Sequence, residues 1–411
     1  MSTGVGGVWT PLAVPVFRRH FAARLLSWSG TAIAPIALAF AVLRLPGGSG
    51  AGLGWVLACG MAPQLVLLLI GGASADRWPR LRVMAVANTV SSVAQATAAI
   101  LLWTHTAQVW QLAALSAACG AAAAFFTPAC SAVLTDLVPE HVRPAANALL
   151  RLGQNIVKVG GPAAGAVLVA LVGSAWVIAW DALSFACAAA LFASLPHPAH
   201  TATSSGRFHH DLREGWQDFR SRRWLVAITT QGALIVPVWM AGYQLLGPVY
   251  GHQVLGGPAA WGVVTSGFAV GLVTGSGVAL WWRPVRSGVT VCAATVPIAA
   301  PLAVIAVDGG TAGLTVAAAV AGAASAVSMT VWTGVLQERV PGARLSRAVS
   351  YATLGQSVTV PLGYLAAAPA AQLLGLECAL GAGAAIIAVL SVLPLAIPEV
   401  RGLRGGVTSR C

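Results

Sequence analysis

The chain has 411 residues, 57% of them hydrophobic and 8% charged, with a formal net charge of +12. A soluble domain carries roughly 25% charged residues, so this composition cannot cover a water-facing surface and excludes a soluble globular protein. Crossing a bilayer takes about 20 mostly apolar residues per helix, and stretches of that kind recur along the whole chain.

In chain order, the apolar runs predict spans at 22–44, 52–73, 83–103, 109–133, 147–172 and 175–195. After a polar stretch, six more follow at 225–250, 258–281, 288–307, 311–335, 347–369 and 375–396. Barrel strands alternate in hydrophobicity over about 10 residues, whereas these runs are apolar on all sides for about twice that length. The expected fold class is therefore an all-α membrane protein with 12 transmembrane helices in two six-helix halves. Ala- and Gly-rich stretches such as Ala113–Ala124 and Ala317–Ala326 suit close helix packing in lipid, where small residues let backbones approach.

Four segments are expected: a first half at 1–195, a linker at 196–224, a second half at 225–396 and a tail at 397–411. The linker, HPAHTATSSGRFHHDLREGWQDFRSRRW, starts with small polar residues and continues into an amphipathic helix from about His210 to Arg222. Its histidines can be set against metal binding or against a solvated interfacial role, and the second is the simpler reading. No P-loop, nucleophile motif or metal-ligand cluster occurs, so no cofactor, metal or enzymatic activity is expected. The cysteines show no paired spacing that would indicate disulfides or a zinc site.

The positive charge is unevenly placed. With the N-terminus inside, the inner segments carry Arg18, Arg19, Arg77, Arg80, Arg82, Arg143, five arginines between Arg207 and Arg223, Arg283, Arg286, Arg339, Arg344, Arg347, Arg401, Arg404 and Arg410. Only Arg44 sits at an outer helix mouth, while Arg24, Arg151 and Lys158 fall within spans. That is the bias of the positive-inside rule. It predicts a multi-pass protein of the cytoplasmic membrane with both termini cytoplasmic. The excess charge then faces anionic lipid headgroups and not nucleic acid. The first span is expected to act as an uncleaved signal anchor, because spans continue to the end of the chain.

The two halves echo each other. Gly72-Ala73-Ser74-Ala75-Asp76-Arg77-Trp78-Pro79-Arg80 follows the second span, and the basic run Trp281-Trp282-Arg283-Pro284-Val285-Arg286 follows the eighth. Asp136-Leu137-Val138-Pro139-Glu140 after the fourth span matches Gln337-Glu338-Arg339-Val340-Pro341-Gly342 after the tenth. Repeated halves of this kind form a substrate path between them.

At these residues the chain resembles the major facilitator superfamily, whose best-known signature is a Gly-x-x-x-Asp-Arg-x-x-Arg loop. The wider pattern is similar to its macrolide-efflux and siderophore-exporter branch. The stretches that carry this likeness include Ser27-Trp28-Ser29-Gly30, Ala146-Asn147-Ala148-Leu149, Asp181-Ala182-Leu183-Ser184-Phe185 and Leu212-Arg213-Glu214-Gly215. The resemblance implies that Gly72 permits close helix contact and that Asp76 engages the second half in the outward-facing state. It also implies that Arg77 and Arg80 meet nearby acids, with Asp136 and Glu140 as candidates; topology charge is the plainer alternative. Gly161-Pro162 with Gly165 is similar to the helix-bending motif of proton-driven exporters, although Val157 and Ala166 stand where the full pattern has glycine.

A charge within a span costs several kcal/mol unless it is paired or faces a cavity. Lys158, the chain's one lysine, lies about 11 residues into the fifth span, roughly 16 Å deep at ~1.5 Å per residue. Asn155 shares its helix face, with Arg151 and Gln154 extending that face towards the cytoplasm. Lys158 either lines a substrate cavity, attracting an anion or titrating during transport, or pairs locally for packing. Asp181 is the acid within a span, and both proton coupling and an architectural hydrogen bond are open to it. In the seventh span Gln231, Trp239, Tyr243 and Gln244 offer aromatic and amide contacts suited to a large amphipathic ligand. Where related exporters often carry an acid after Ser-x-x-Gly in the first helix, this chain has Thr31.

The expected function is secondary active export of a small amphipathic molecule, a drug, antibiotic or siderophore-like compound. The expected mechanism is alternating access by a monomer in exchange for protons, with membrane lipids around it. A metabolite importer of the same fold and a non-transporting membrane sensor or scaffold are the alternatives.

Overall fold

The computed structural model describes residues 9–196, 217, 219–282, 284–340 and 351–403; the side chains at 69, 71–77, 132, 135 and 280 are outside that description. The described residues contain no strand, and 12 of their helices are long and apolar enough to cross a membrane. We number these α1 Pro15–Arg44, α2 Gly50–Arg77, α3 Arg80–Trp103, α4 Val109–Leu137, α5 Arg143–Val172 and α6 Ser174–Ala193. The remaining six are α7 Arg223–Gln253, α8 Pro258–Trp281, α9 Ser287–Ala306, α10 Gly310–Arg339, α11 Tyr351–Leu374 and α12 Leu376–Ala396. The protein is a multi-pass, all-α membrane protein.

Several helices outrun their apolar stretches. The helix α1 starts at Pro15, α5 at Arg143, and α10 continues to Arg339. Hydropathy marks only the part of a helix that needs lipid, while hydrogen bonding carries the helix on among polar residues. Pro15 and Pro144 suit these beginnings, since a first-turn proline gives up an amide that had no helical partner. The linker helix expected at 210–222 falls largely outside the described residues.

The chain divides into two compact units, Met1–Ser204 and Ser205–Cys411. In the first, α1 packs on α5 and α6, α3 on α4 and α6, and α2 on α4. Phe17, Leu81, Met84, Leu149 and Phe192 form its buried cluster near the α3 and α5 starts. Large apolar groups elsewhere point outward, with Val66 73% and Leu171 76% exposed. Such a surface requires lipid as its solvent, with the backbone polar groups satisfied inside each helix.

In the second unit, α8 and α10 run parallel in the tightest packing of that half. Gly267, Gly271 and Gly275 sit on Thr315, Ala319 and Ala323, and Gly322 meets the Phe268 carbonyl in return. A glycine every fourth residue puts a smooth face on α8, so the two backbones touch. Trp224, Leu225, Trp332 and Leu336 form the buried cluster at one end of this unit.

Candidate functional site

The first unit encloses a cavity of about 580 Å³, within the size range of small-molecule sites. Its lining follows directly from helical spacing. On α1, Arg24, Trp28, Thr31, Pro35 and Leu38 recur at steps of four and three, so one face of the helix carries them all. Asn88, Ser91 and Gln95 repeat the pattern on α3, and Ile178, Asp181 and Phe185 on α6. Arg24, Thr31, Asn88, Ser91, Gln95 and Asp181 thus meet the rings of Trp28 and Phe185 inside a span bundle whose outer surface is apolar.

Arg24 occupies this face as a half-buried cation. Its guanidinium carbon lies 4.3 Å from the Trp28 ring centroid and 4.9 Å from that of Phe126. It makes no hydrogen bond or ion pair among the described residues. Each cation–π contact contributes about 0.5–2 kcal/mol, and Arg24, near the start of the span expected at 22–44, costs less than the roughly 2.5–3.5 kcal/mol of an arginine at a span's centre. The rings therefore offset much of the cost while leaving the N–H edges of the guanidinium uncommitted.

Asp181 is 1% exposed and joins three helices. Gln95 Nε2 on α3 donates to its Oδ2 at 2.8 Å. Its Oδ1 has no partner and faces Gly30 of α1, where any added Cβ would collide with Asp181 and Ser184. Gly30 is thus the residue that lets α1 come down on α6. The Ser92 hydroxyl donates to the Ala182 carbonyl, and the Ser184 hydroxyl to the Asp181 carbonyl, both at 2.8 Å. Asn88 is 3% exposed, and its amide nitrogen also lacks a partner.

On α5, Gln154 reaches the cavity, whereas Asn155 and Lys158 are exposed and do not line it. The opposite face is built of glycines. Gly153 packs on Phe21 and Leu25, Gly161 on Ala32, and Gly165 on Ile33. Gly161 and Gly165 thus seat α5 against α1, and the helix runs unbroken through Pro162.

At the ends of α3 and α4, Arg80 Nη1 donates to both oxygens of Asp136, at 3.0 and 2.9 Å. Both side chains are partly exposed, at 17% and 28%. Gly72, Asp76 and Arg77 fall in the last two turns of α2, and their side chains lie outside the described residues.

In the second unit the residues singled out in α7 have different surroundings. Gln231 is buried, with its amide donating to Thr295 Oγ1 at 3.2 Å and to the Ser391 carbonyl at 2.9 Å. Trp239 and Tyr243 stack with ring centroids 4.6 Å apart and planes 8° from parallel. Phe268 and Trp261 close around Tyr243 at 5.5 and 5.3 Å. A π-helical stretch, Met240–Leu246, carries Tyr243 inward and leaves Gln244 exposed. Such wider turns are rare and cluster at functional sites; here one follows Pro237.

The structure thus places Asp181 and Gln154 at one cavity and pairs Arg80 with Asp136. It sets Gln231 in a packed core and leaves Lys158, Asn155 and Gln244 exposed. The contributions of Trp28, Asn88 and Gln95 escape a search for charges alone, which finds Arg24 only as a charge within a span. Their signal is the three-and-four spacing of polar residues within otherwise apolar helices.

A family model described as Major Facilitator Superfamily matches residues 20–363. The chain is 26% identical over 403 residues to the multidrug efflux pump Tap of Mycobacterium tuberculosis, covering 95% of this chain and 94% of that protein. It is 23% identical over 389 residues to macrolide efflux protein A of Streptococcus pyogenes, covering 92% and 96%. Among solved structures it is similar to the nucleoside transporter NupG, with a TM-score of 0.69 at 13% identity over 93% of this chain and 98% of that one. The D-xylose–proton symporter gives a TM-score of 0.67 at 13% identity over 96% and 99%. At these identities the structural likeness shows the fold alone.

Proposed function

The chain belongs to the Major Facilitator Superfamily, a family of transporters and not enzymes, and from that premise we propose that it exports a small amphipathic molecule in exchange for protons. The observation that carries this reading is the cavity of the first unit, where polar and aromatic side chains face a space sized for a small molecule. The efflux pumps among its full-length relatives support the outward direction. The arginine distribution supports placement in the cytoplasmic membrane with both termini inside.

In this reading the two six-helix halves alternate access to the bound molecule. Asp181 is the proton-coupling group, because one of its carboxyl oxygens is held by Gln95 and the other is buried without a partner. Protonation at Oδ1 would remove a buried charge at the place where α1, α3 and α6 meet. The exposed polar face of α5, with Asn155 and Lys158, extends the substrate path beyond the cavity. In the second unit, Trp239 and Gln244 of α7 offer the molecule aromatic and amide contacts. Gly72, Asp76 and Arg77, together with the Arg80–Asp136 pair, bias the alternation. The protein acts as a monomer.

Everted vesicles with an acidified lumen test the reading. Wild-type vesicles should accumulate a fluorescent substrate that control vesicles exclude, and Asp181→Asn should lower that accumulation at least about tenfold while the protein still inserts and binds ligand. Uptake that runs only in right-side-out vesicles would mark an importer. Equal accumulation with and without the protein, across a broad panel, would leave the sensor or scaffold reading in its place.

A further inference from the structure

The Arg24 guanidinium lies over two rings, and its N–H groups make no hydrogen bond or ion pair among the described residues. A guanidinium in that pose is a receptor for oxygen acceptors, above all a carboxylate or similar oxyanion that it can meet in its own plane. Asn88 lines the same cavity and is 3% exposed; its amide nitrogen is buried in the wall without a partner, and a half-turn about the terminal side-chain bond presents it to the space as a second donor. A buried donor left unmatched is costly, so a molecule that satisfies both groups is favoured over one that satisfies neither. The acidic residue of the cavity does not cancel this preference. Asp181 meets α1 at Gly30, six residues beyond Arg24, which is roughly 9 Å along the helix at ~1.5 Å per residue.

From this geometry we infer that the cavity selects an amphipathic organic anion, with a carboxylate-type head at Arg24 and Asn88 and an apolar or aromatic body against Trp28 and Phe126. The inference rests on the reading that this cavity carries the transported molecule. It makes Arg24 and Asn88 specificity-determining residues and disfavours simple lipophilic cations as cargo.

The probe is the pair 1-pyrenebutyrate and its methyl ester, which share an aromatic body and differ in the head. Binding to full-length protein in lipid nanodiscs is followed by tryptophan-to-pyrene energy transfer, with empty nanodiscs as the blank. The wild type should bind the carboxylate at least about tenfold more tightly than the ester. Arg24→Met should bring the two within about twofold, leaving the ester affinity unchanged as the sign of an intact fold. Asn88→Leu should weaken the carboxylate about threefold and spare the ester; this arm decides the matter where Arg24→Met does not fold. Equal affinities in the wild type, a preference that survives Arg24→Met, or an Asn88→Leu variant that keeps full preference would each overturn the inference. Because no gradient is applied, a retained preference in protein that fails to export counts against the export reading alone.

Discussion

The two units differ in where their unpartnered polar groups lie. In the first, Arg24, Asn88 and one oxygen of Asp181 face the cavity or its wall without partners. In the second, the buried amide of Gln231 is held by two acceptors on other helices and the aromatic rings of α7 and α8 stack on one another, while the hydroxyls of Thr229 and Tyr243 are buried without a partner away from that cavity. Backbone approach differs as well. The helices α2 and α4 meet closely at Gly60 and Gly120, whereas α8 and α10 meet at three successive glycine steps plus Gly322. A polar group on a cavity wall can be completed by a ligand or proton, whereas one packed in a core cannot, and helices in backbone contact move as one body. On this ground the chemistry is proposed for the first unit.

The largest expected effect falls on the contact between α8 and α10. Gly271→Val would drive a branched side chain into the Ala319 carbonyl, and overpacking of this kind costs about 1–3 kcal/mol or more. The measurement is the yield and melting temperature of the purified protein, with a fall of several degrees or loss of folded material expected. A variant as stable as wild type would break the claim that backbone contact at Gly271 holds α8 to α10.

Next comes a matched pair of amide removals. Gln231→Leu leaves the Thr295 hydroxyl still donating to the Cys292 carbonyl at 2.7 Å, so about 1 kcal/mol of stability is lost. Export per folded molecule should stay at the wild-type level. Gln95→Leu takes away the hydrogen bond to Asp181 Oδ2, and export per folded molecule should fall severalfold. Equal transport losses in the two variants, measured in vesicles with matched protein content, would erase the division of labour.

The smallest effect belongs to the Arg80–Asp136 pair. Exposed ion pairs contribute roughly 0.2–1 kcal/mol, so Asp136→Asn should shift the melting temperature by no more than a few degrees. If the pair biases the alternation, its transport rate should change more than its stability does. A proportionate change in both would reduce it to a helix-end clasp.

Much of this architecture is legible in the residues. The 12 spans follow from apolar length, because a helix in lipid must be apolar on nearly every side. Their true ends are less visible: α1 begins at Pro15 and not at 22, since a helix persists past the lipid that demands it. Asp181 stands out as an acid in a span, yet its partner Gln95 lies on α3, and nothing local to either residue announces the pairing. Lys158 draws notice for the same reason as Asp181, but its side chain is exposed and outside the cavity wall. Gln231 and Tyr243 resemble ligand-binding residues in their chemistry, while their neighbours in space close around them.

The sequence by itself determined that this protein lives in a membrane, that it crosses it with 12 helices, and which residue types are costly there. Those conclusions rest on composition and period, which are properties of single helices. Only the tertiary structure decided which costly groups are satisfied and which remain open. Hydrogen-bond partners and ring contacts come from different helices, and their distances depend on how glycines such as Gly30 let those helices meet. Arg24 shows the difference most clearly. In the sequence it is one arginine within a span, and in the fold it is a cation seated on two rings with its edges free.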